Sequence, residues 1–299
     1  MAEGSGTKKV VLFTGGTDGI GRETLNVLAL ERDLKLIITA RSMVKGTKVA
    51  EELNSKFKSV NDQLDITVMN MDLGSFESIK QFVKEFKALN IPLDTLVCNA
   101  GVMPYTFEKT TDGHELTVGT NHYGTFLLTY SLLDKLNKST FGGNIVIVAS
   151  TTHYSPTKLD INNLATTEAK NFSIQDDYAN SKLYNVMFAK ELGKRLAEKG
   201  SNVKVNSIHP GFTITNLTKN WGYVVVAFIK LLWYFTGNNM SDMAEGLASL
   251  TLNKQNETGK YFQLKNITTP SQLSQNEDLC EQLWDKTCEI VGVPKDFTL

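Results

Sequence analysis

The chain has 299 residues, of which 41% are hydrophobic, 21% charged and 9% aromatic, a globular balance that excludes a disordered or collagen-like chain. Lys plus Arg is 31 against 32 Asp plus Glu, for a net charge of −1, so the basic excess usual in nucleic-acid binders is missing and no nucleic-acid partner is expected. The three cysteines, Cys98, Cys280 and Cys288, form no C-x-x-C pair and argue against a disulfide framework or a structural zinc site.

The polar start Met1–Lys9 leads into the short apolar run Val10–Phe13, too short for the core of a signal peptide. No stretch reaches the roughly 20 apolar residues of a spanning helix, and the expectation is an intracellular, cytoplasmic chain with reduced thiols. Val10–Phe13 reads as a strand and Ile20–Leu30 as a helix. Leu34–Thr39 is a second strand, Lys45–Phe57 an amphipathic helix and Asp65–Asn70 a third strand. Residues 75–89 carry Phe76, Ile79, Phe82, Val83 and Phe86 on one helical stripe. Leu93–Cys98 is a fourth strand, residues 115–137 a long helix, Asn144–Ala149 a fifth strand and Val203–Ile208 a sixth. A closing helix is expected near Leu273–Val291. Strands that alternate with helices imply βαβ units, and unbroken apolar strands suit burial on both faces. The fold class is therefore α/β: a doubly wound, Rossmann-type parallel sheet with helices on both faces. One domain over 1–299 is the simplest division, with 8–150 and 151–299 as its two halves.

Thr14-Gly15-Gly16-Thr17-Asp18-Gly19-Ile20-Gly21 lies between the first strand and helix. Its G-x-x-x-G-x-G spacing is related to the dinucleotide fingerprint: glycines allow a tight turn and close approach to a pyrophosphate, and the helix offers free N–H groups. A glycine-rich turn without a ligand is the bland alternative. The second strand ends at Ala40-Arg41, where an NAD site places an acid for the ribose hydroxyl. An arginine there suits a 2′-phosphate, which favours NADP(H); an ordinary exposed arginine is the alternative.

Tyr178 and Lys182 stand four apart in a helical stretch and share a face. Ser150, Asn99-Ala100-Gly101 and His209-Pro210-Gly211 follow strands, at the carboxyl ends where parallel sheets bind ligands. Together TGGTDGIG (14–21), MDL (71–73), NAG (99–101), TN (120–121), AS (149–150), YANSK (178–182) and HPG (209–211) resemble the short-chain dehydrogenase/reductase family, in that family's order. NHYGTFLLTYSLLDKL, YANSKLYNVMFAKELGKRL and IHPGFTITNL, with His153 three residues after Ser150, are similar to its retinol dehydrogenase and WW-domain-containing oxidoreductase branch. Neither the N-terminal anchor of many members nor the WW domain is expected here, and Ala149-Ser150 replaces the usual pair of serines.

The resemblance implies a catalytic set of Ser150, Tyr178, Lys182 and Asn121, with Ser150 holding the substrate oxygen and Asn121 supporting a proton relay to Lys182. A helix kink or a local backbone hydrogen bond is the bland role for Asn121. Lys182 and the positive nicotinamide are expected to lower the Tyr178 pKa, and Lys182 to grip the nicotinamide ribose. Cofactor contacts are expected at Gly15, Thr17, Asp18, Gly19, Ile20, Gly21, Arg41, Asp72, Leu73, Asn99, Ala100, Gly101, Tyr178, Lys182, Pro210, Gly211, Thr213 and Thr215. Asp72 is read as an adenine contact or a helix cap, Asn99 as a brace for the sheet, and His153 and His209 as pocket-wall or structural residues. No metal is expected. Trp221–Gly237 is an aliphatic and aromatic run broken by Lys230; a lid over a greasy substrate, membrane-surface contact and core packing compete. The implied activity is interconversion of a lipophilic alcohol and its carbonyl, retinoid- or steroid-like. A 3-keto- or 17β-hydroxysteroid reductase and a non-catalytic NADP sensor are the alternatives. A homodimer and peripheral contact with endoplasmic reticulum or lipid droplets are compatible with the sequence.

Overall fold

A computed structural model describes residues 8–62, 64–211, 239–252 and 256–299. Thr213, Thr215 and the Trp221–Gly237 run lie outside the described residues. Strands β1 (Lys9–Thr14), β2 (Leu34–Ala40), β3 (Asp65–Asn70), β4 (Thr95–Cys98), β5 (Asn144–Val148), β6 (Lys204–His209), β7 (Tyr261–Gln263) and β8 (Asn266–Ile267) make one eight-stranded sheet in the order β3-β2-β1-β4-β5-β6-β7-β8. All neighbours pair in parallel except β7 with β8. Strand order reverses between β1 and β4, and crevices at such a switch point, outside the carboxyl ends of the strands, are where α/β sheets bind ligands.

Period-two alternation sends each strand's side chains into two cores. Leu12, Leu96, Ile145 and Ile147 face one core with Phe82, Phe126 and Trp284, whereas Val11, Phe13, Ile38 and Val146 face the other with Leu25, Leu53 and Leu247. Helices α1 (Gly19–Leu28), α2 (Met43–Phe57), α3 (Phe76–Ala88) and, later in the chain, Ile174–Glu198, Met240–Thr251 and Glu277–Val291 cover the two faces. The α3 stripe buries Ile79, Phe82, Val83 and Phe86, and each such side chain contributes about 1.5–3 kcal/mol. Its N-cap is Ser75, whose Oγ accepts the Ser78 N–H.

Three elements differ from expectation. The long helix over 115–137 is segmented: Leu116–Val118 is α-helical, Gly119–Gly124 a π-turn, Thr125–Ser131 α-helical again, and a separate turn covers Leu133–Asn137. A Cβ on Gly124 would lie 2.1 Å from the Leu73 carbonyl oxygen, so the widened turn packs directly on the backbone after β3. The closing helix is interrupted at Asn276, which ends Gln272–Gln275 and caps Glu277–Val291 by accepting the Leu279 N–H. β4 begins at Thr95 rather than Leu93, and the Asp94 carboxylate just before it accepts the Val10 N–H and the Ser139 hydroxyl proton. Among the described residues, no helix is long and apolar enough to cross a membrane.

Candidate active site

The register aligns the carboxyl ends of β1, β4, β5 and β6, so Thr14, Asn99, Ser150 and His209 end or follow neighbouring strands at one edge. Gly15 and Gly19 adopt φ +70° and +52° in the turn after β1, a conformation that favours glycine. A Cβ on Gly21 would lie 2.1 Å from the Gly15 oxygen and 2.5 Å from Asn99 Nδ2. Asn99 braces this turn by donating from Nδ2 to the Thr14 and Gly15 carbonyls at 3.1 and 2.9 Å. Thr14 Oγ1 accepts the Asn99 and Ala100 N–H groups and donates to Val97 O; Thr14 opens the glycine motif, yet sequence reasoning gave it no role. Asp18 caps α1 by accepting the Gly19 N–H at 2.7 Å. The Arg22 N–H reaches Asp18 O, so the Ile20 and Gly21 amides have no intrahelical acceptor. Thr17 lies half-buried beside them.

Arg41 is exposed just past β2, and its guanidinium has no partner among the described residues. Asp72 is not a helix cap: its Oδ1 accepts the Gly74 N–H at 2.9 Å while Ser75 caps α3. The Leu73 side chain is buried in the core. Pro210 and Gly211 are buried beyond β6, with Gly211 at φ +119°. A Cβ on Gly101 would lie 3.2 Å from Asn121 Oδ1 and 3.6 Å from Lys182 Nζ, so this glycine leaves clear space beside both. N–H donors at a helix start, an unpaired guanidinium and glycine-lined backbone next to Lys182 form a donor set that fits a phosphorylated dinucleotide.

Ile174–Glu198, helix α7 when the preceding Leu116–Val118, Thr125–Ser131 and Leu133–Asn137 are α4, α5 and α6, carries Tyr178 and Lys182. Its N-cap Ser173 accepts the Asp176 N–H. Lys182 is buried and donates from Nζ to Val148 O at 3.1 Å, and Nζ lies 5.5 Å from the Tyr178 ring centre. Tyr178 and Ser150 are both half-buried and hydrogen-bonded to each other. Burial pushes the Tyr178 phenol up to about 12, opposed only in part by the Ser150 bond, and pushes Lys182 down to about 8. Lys182 alone therefore does not produce the expected lowering of Tyr178. The Lys182 ammonium group is tied to Val148 O, and desolvation of the buried phenol sets the direction.

Asn121 sits in the π-turn with its amide engaged. Oδ1 accepts the Val102 N–H at 2.7 Å, and Nδ2 donates to Val102 O and Ser181 Oγ at 3.0 and 3.1 Å. Asn185, one turn after Lys182, also donates to Val148 O and links it through buried His122 to Thr287. Its spacing of three from Lys182 on one helix was the available signal. His153 and His209 are buried with lowered pKa values, His209 down to about 4, chiefly by desolvation. Among the described residues no group of three His, Cys, Asp or Glu could hold a metal ion.

The short chain dehydrogenase family profile matches residues 9–223. The chain is 36% identical to Short-chain dehydrogenase TIC 32 B, chloroplastic, of Brassica napus, over 94% of this chain and 88% of that one. It is 33% identical to human Retinol dehydrogenase 11, over 96% and 87%, and 36% identical to human Polyprenol dehydrogenase, over 97% and 87%. The fold matches a solved uncharacterized protein from Mycobacterium paratuberculosis, with TM-score 0.71 and 23% identity over 97% and 96% of the chains. It also matches the Pseudomonas aeruginosa RhlG/NADP active-site complex, with TM-score 0.64 and 20% identity over 86% and 94%. With this profile, these relatives and this fold, the chain belongs to the short-chain dehydrogenase/reductase family of oxidoreductases.

Proposed function

We propose that the chain is an NADP(H)-dependent oxidoreductase that interconverts a lipophilic alcohol, retinoid- or steroid-like, and its carbonyl. The observation that carries this reading is the meeting of Ser150, Tyr178 and Lys182 at the end of β5 beside the glycine turn. Retinol and polyprenol, named in two relatives, are lipophilic alcohols, and one solved neighbour is an NADP complex. Arg41, exposed and unpaired, would bind the 2′-phosphate. The Ile20 and Gly21 amides would receive the pyrophosphate, and Lys182 the nicotinamide ribose.

When bound, the nicotinamide would supply the hydride chemistry. Tyr178, raised to about 12, is a phenol at neutral pH and donates its proton to the carbonyl oxygen in the reductive direction. Ser150 fixes that oxygen by hydrogen bonding. Lys182, at about 8, is still mainly an ammonium at neutral pH and stabilises the phenolate left by proton transfer. Asn121 holds the Val102 backbone and Ser181 against the base of α7, and we assign it the relay that returns a proton to Lys182.

Trp221–Gly237 is assigned as the substrate lid and as a peripheral contact with the surface of the endoplasmic reticulum or of lipid droplets, on its apolar composition alone. Liposome flotation that survives high salt supports apolar contact. The reading as a whole is tested by turnover of retinals, steroid ketones and small carbonyls with NADPH and with NADH. Faster reduction of the lipophilic members with NADPH is expected; a preference for NADH, or turnover of small polar carbonyls alone, would overturn it.

A further inference from the structure

We propose that His153 is a positioning residue for Ser150, locked as the Nδ1–H tautomer between the Ser150 carbonyl and the Ser271 amide. The Ser271 N–H donates to His153 Nε2 at 3.1 Å, so Nε2 presents its lone pair. His153 Nδ1 lies 2.6 Å from Ser150 O, an acceptor, so Nδ1 must carry the proton. A protonated ring would set an Nε2–H against the Ser271 N–H, and burial of the ring favours the neutral form.

The ring has little freedom. It is fully buried, with Tyr154 and Tyr261 at 4.0 and 4.6 Å between centroids. A second strut runs parallel to it, since Tyr154 donates its hydroxyl proton to Thr269 O at 2.6 Å. The turn after the catalytic serine is thereby tied to residues 269–271, more than a hundred positions away in sequence. The tie matters because Ser150 is itself the cap of that turn: its Oγ accepts the Thr152 N–H at 3.2 Å. With its carbonyl held by His153 and its Oγ lone pair taken by Thr152, the Ser150 hydroxyl proton is directed toward Tyr178 and the cleft. Loss of the ring tether leaves the Ser150 carbonyl on the His153 backbone N–H alone, at 3.1 Å, a weaker hold that lets the Ser150 peptide shift and carries Oγ with it. That costs rate more than affinity, because the misplaced atom acts at the reacting oxygen.

The effect on turnover rests on the oxidoreductase reading above; the tether does not. Two substitutions divide the two bonds. His153→Asn keeps an N–H donor near the Nδ1 position and loses the acceptor facing Ser271. His153→Gln keeps an acceptor near the Nε2 position and loses the donor facing Ser150. With the carbonyl that the parent reduces fastest, His153→Asn should keep kcat within about threefold, while His153→Gln should lose about tenfold or more, with KM and NADPH affinity moving less than about twofold. A merely structural staple would instead lower Tm and kcat together in both. Hydrogen exchange at the Thr152 amide, read by NMR on the full chain without substrate, should stay slow in His153→Asn and become fast in His153→Gln. If the parent reduces no carbonyl, the functional reading falls and the Thr152 amide still decides the tether. Parental kcat with slow Thr152 exchange in His153→Gln, or ring nitrogen signals that place the proton on Nε2, would overturn the proposal.

Discussion

Lys182 Nζ donates to the Val148 carbonyl at 3.1 Å while standing 5.5 Å from the centre of the Tyr178 ring. The charge is thus fixed by β5, the strand that ends at Ser150, and not by a carboxylate. Burial without a counter-ion lowers Lys182 from its usual 10.5 to about 8. The unfolded chain binds this proton more tightly, so the penalty is complete below about pH 8 and fades as pH rises toward the unfolded value.

Lys182→Met should therefore be inactive yet more stable than the parent at neutral pH, by about 1–2 kcal/mol once the lost Val148 hydrogen bond is subtracted. Its advantage should be widest below pH 8 and vanish near pH 10.5, as read by denaturant unfolding across pH. A constant difference at all pH values would contradict the buried, lowered ammonium group.

Gly21→Ala should cost about 1–3 kcal/mol or more and impair dinucleotide binding, since the new methyl meets backbone and an amide that cannot yield. Gly142→Ala is the control. Gly142 has φ +78° with nothing within 4 Å of the added Cβ, so only conformational strain is introduced, and nucleotide affinity should not change. Thermal melts and nucleotide fluorescence titrations separate the two. Equal affinity in both variants would remove the glycine turn from the binding site.

Arg41→Ala should weaken NADPH by roughly 1.5–3 kcal/mol, the scale of a charged hydrogen bond, and leave NADH nearly unchanged. The exposed position means that folding stability should not move. Equal affinity of the parent for the two nucleotides would defeat the 2′-phosphate role.

The strands of the sheet interior were legible because β1, β2 and β5 are apolar on both faces, as a central parallel sheet demands. The α3 stripe and the glycine turn were equally plain. β7 and β8 were not, because three and two residues carry no period. The π-turn at Gly119–Gly124 depends on contact with Leu73, which local propensity does not encode. The site's residue types were readable from their order; its electrostatics were not. The sign of the Tyr178 shift depends on desolvation, a product of tertiary packing. The His153–Ser271 contact spans 118 positions and leaves no local pattern.

The pair Tyr178→Phe and Ser150→Ala tests the assignment of the proton donor most directly. Each variant is titrated with NADPH by fluorescence and assayed for reduction of the carbonyl that the parent reduces fastest. Tyr178→Phe should bind NADPH as the parent does and lose about a thousandfold or more in kcat, because only the donated proton is removed. Ser150→Ala should lose about a hundredfold, as expected for one hydrogen bond to the reacting oxygen. Full turnover in Tyr178→Phe would contradict the catalytic assignment outright.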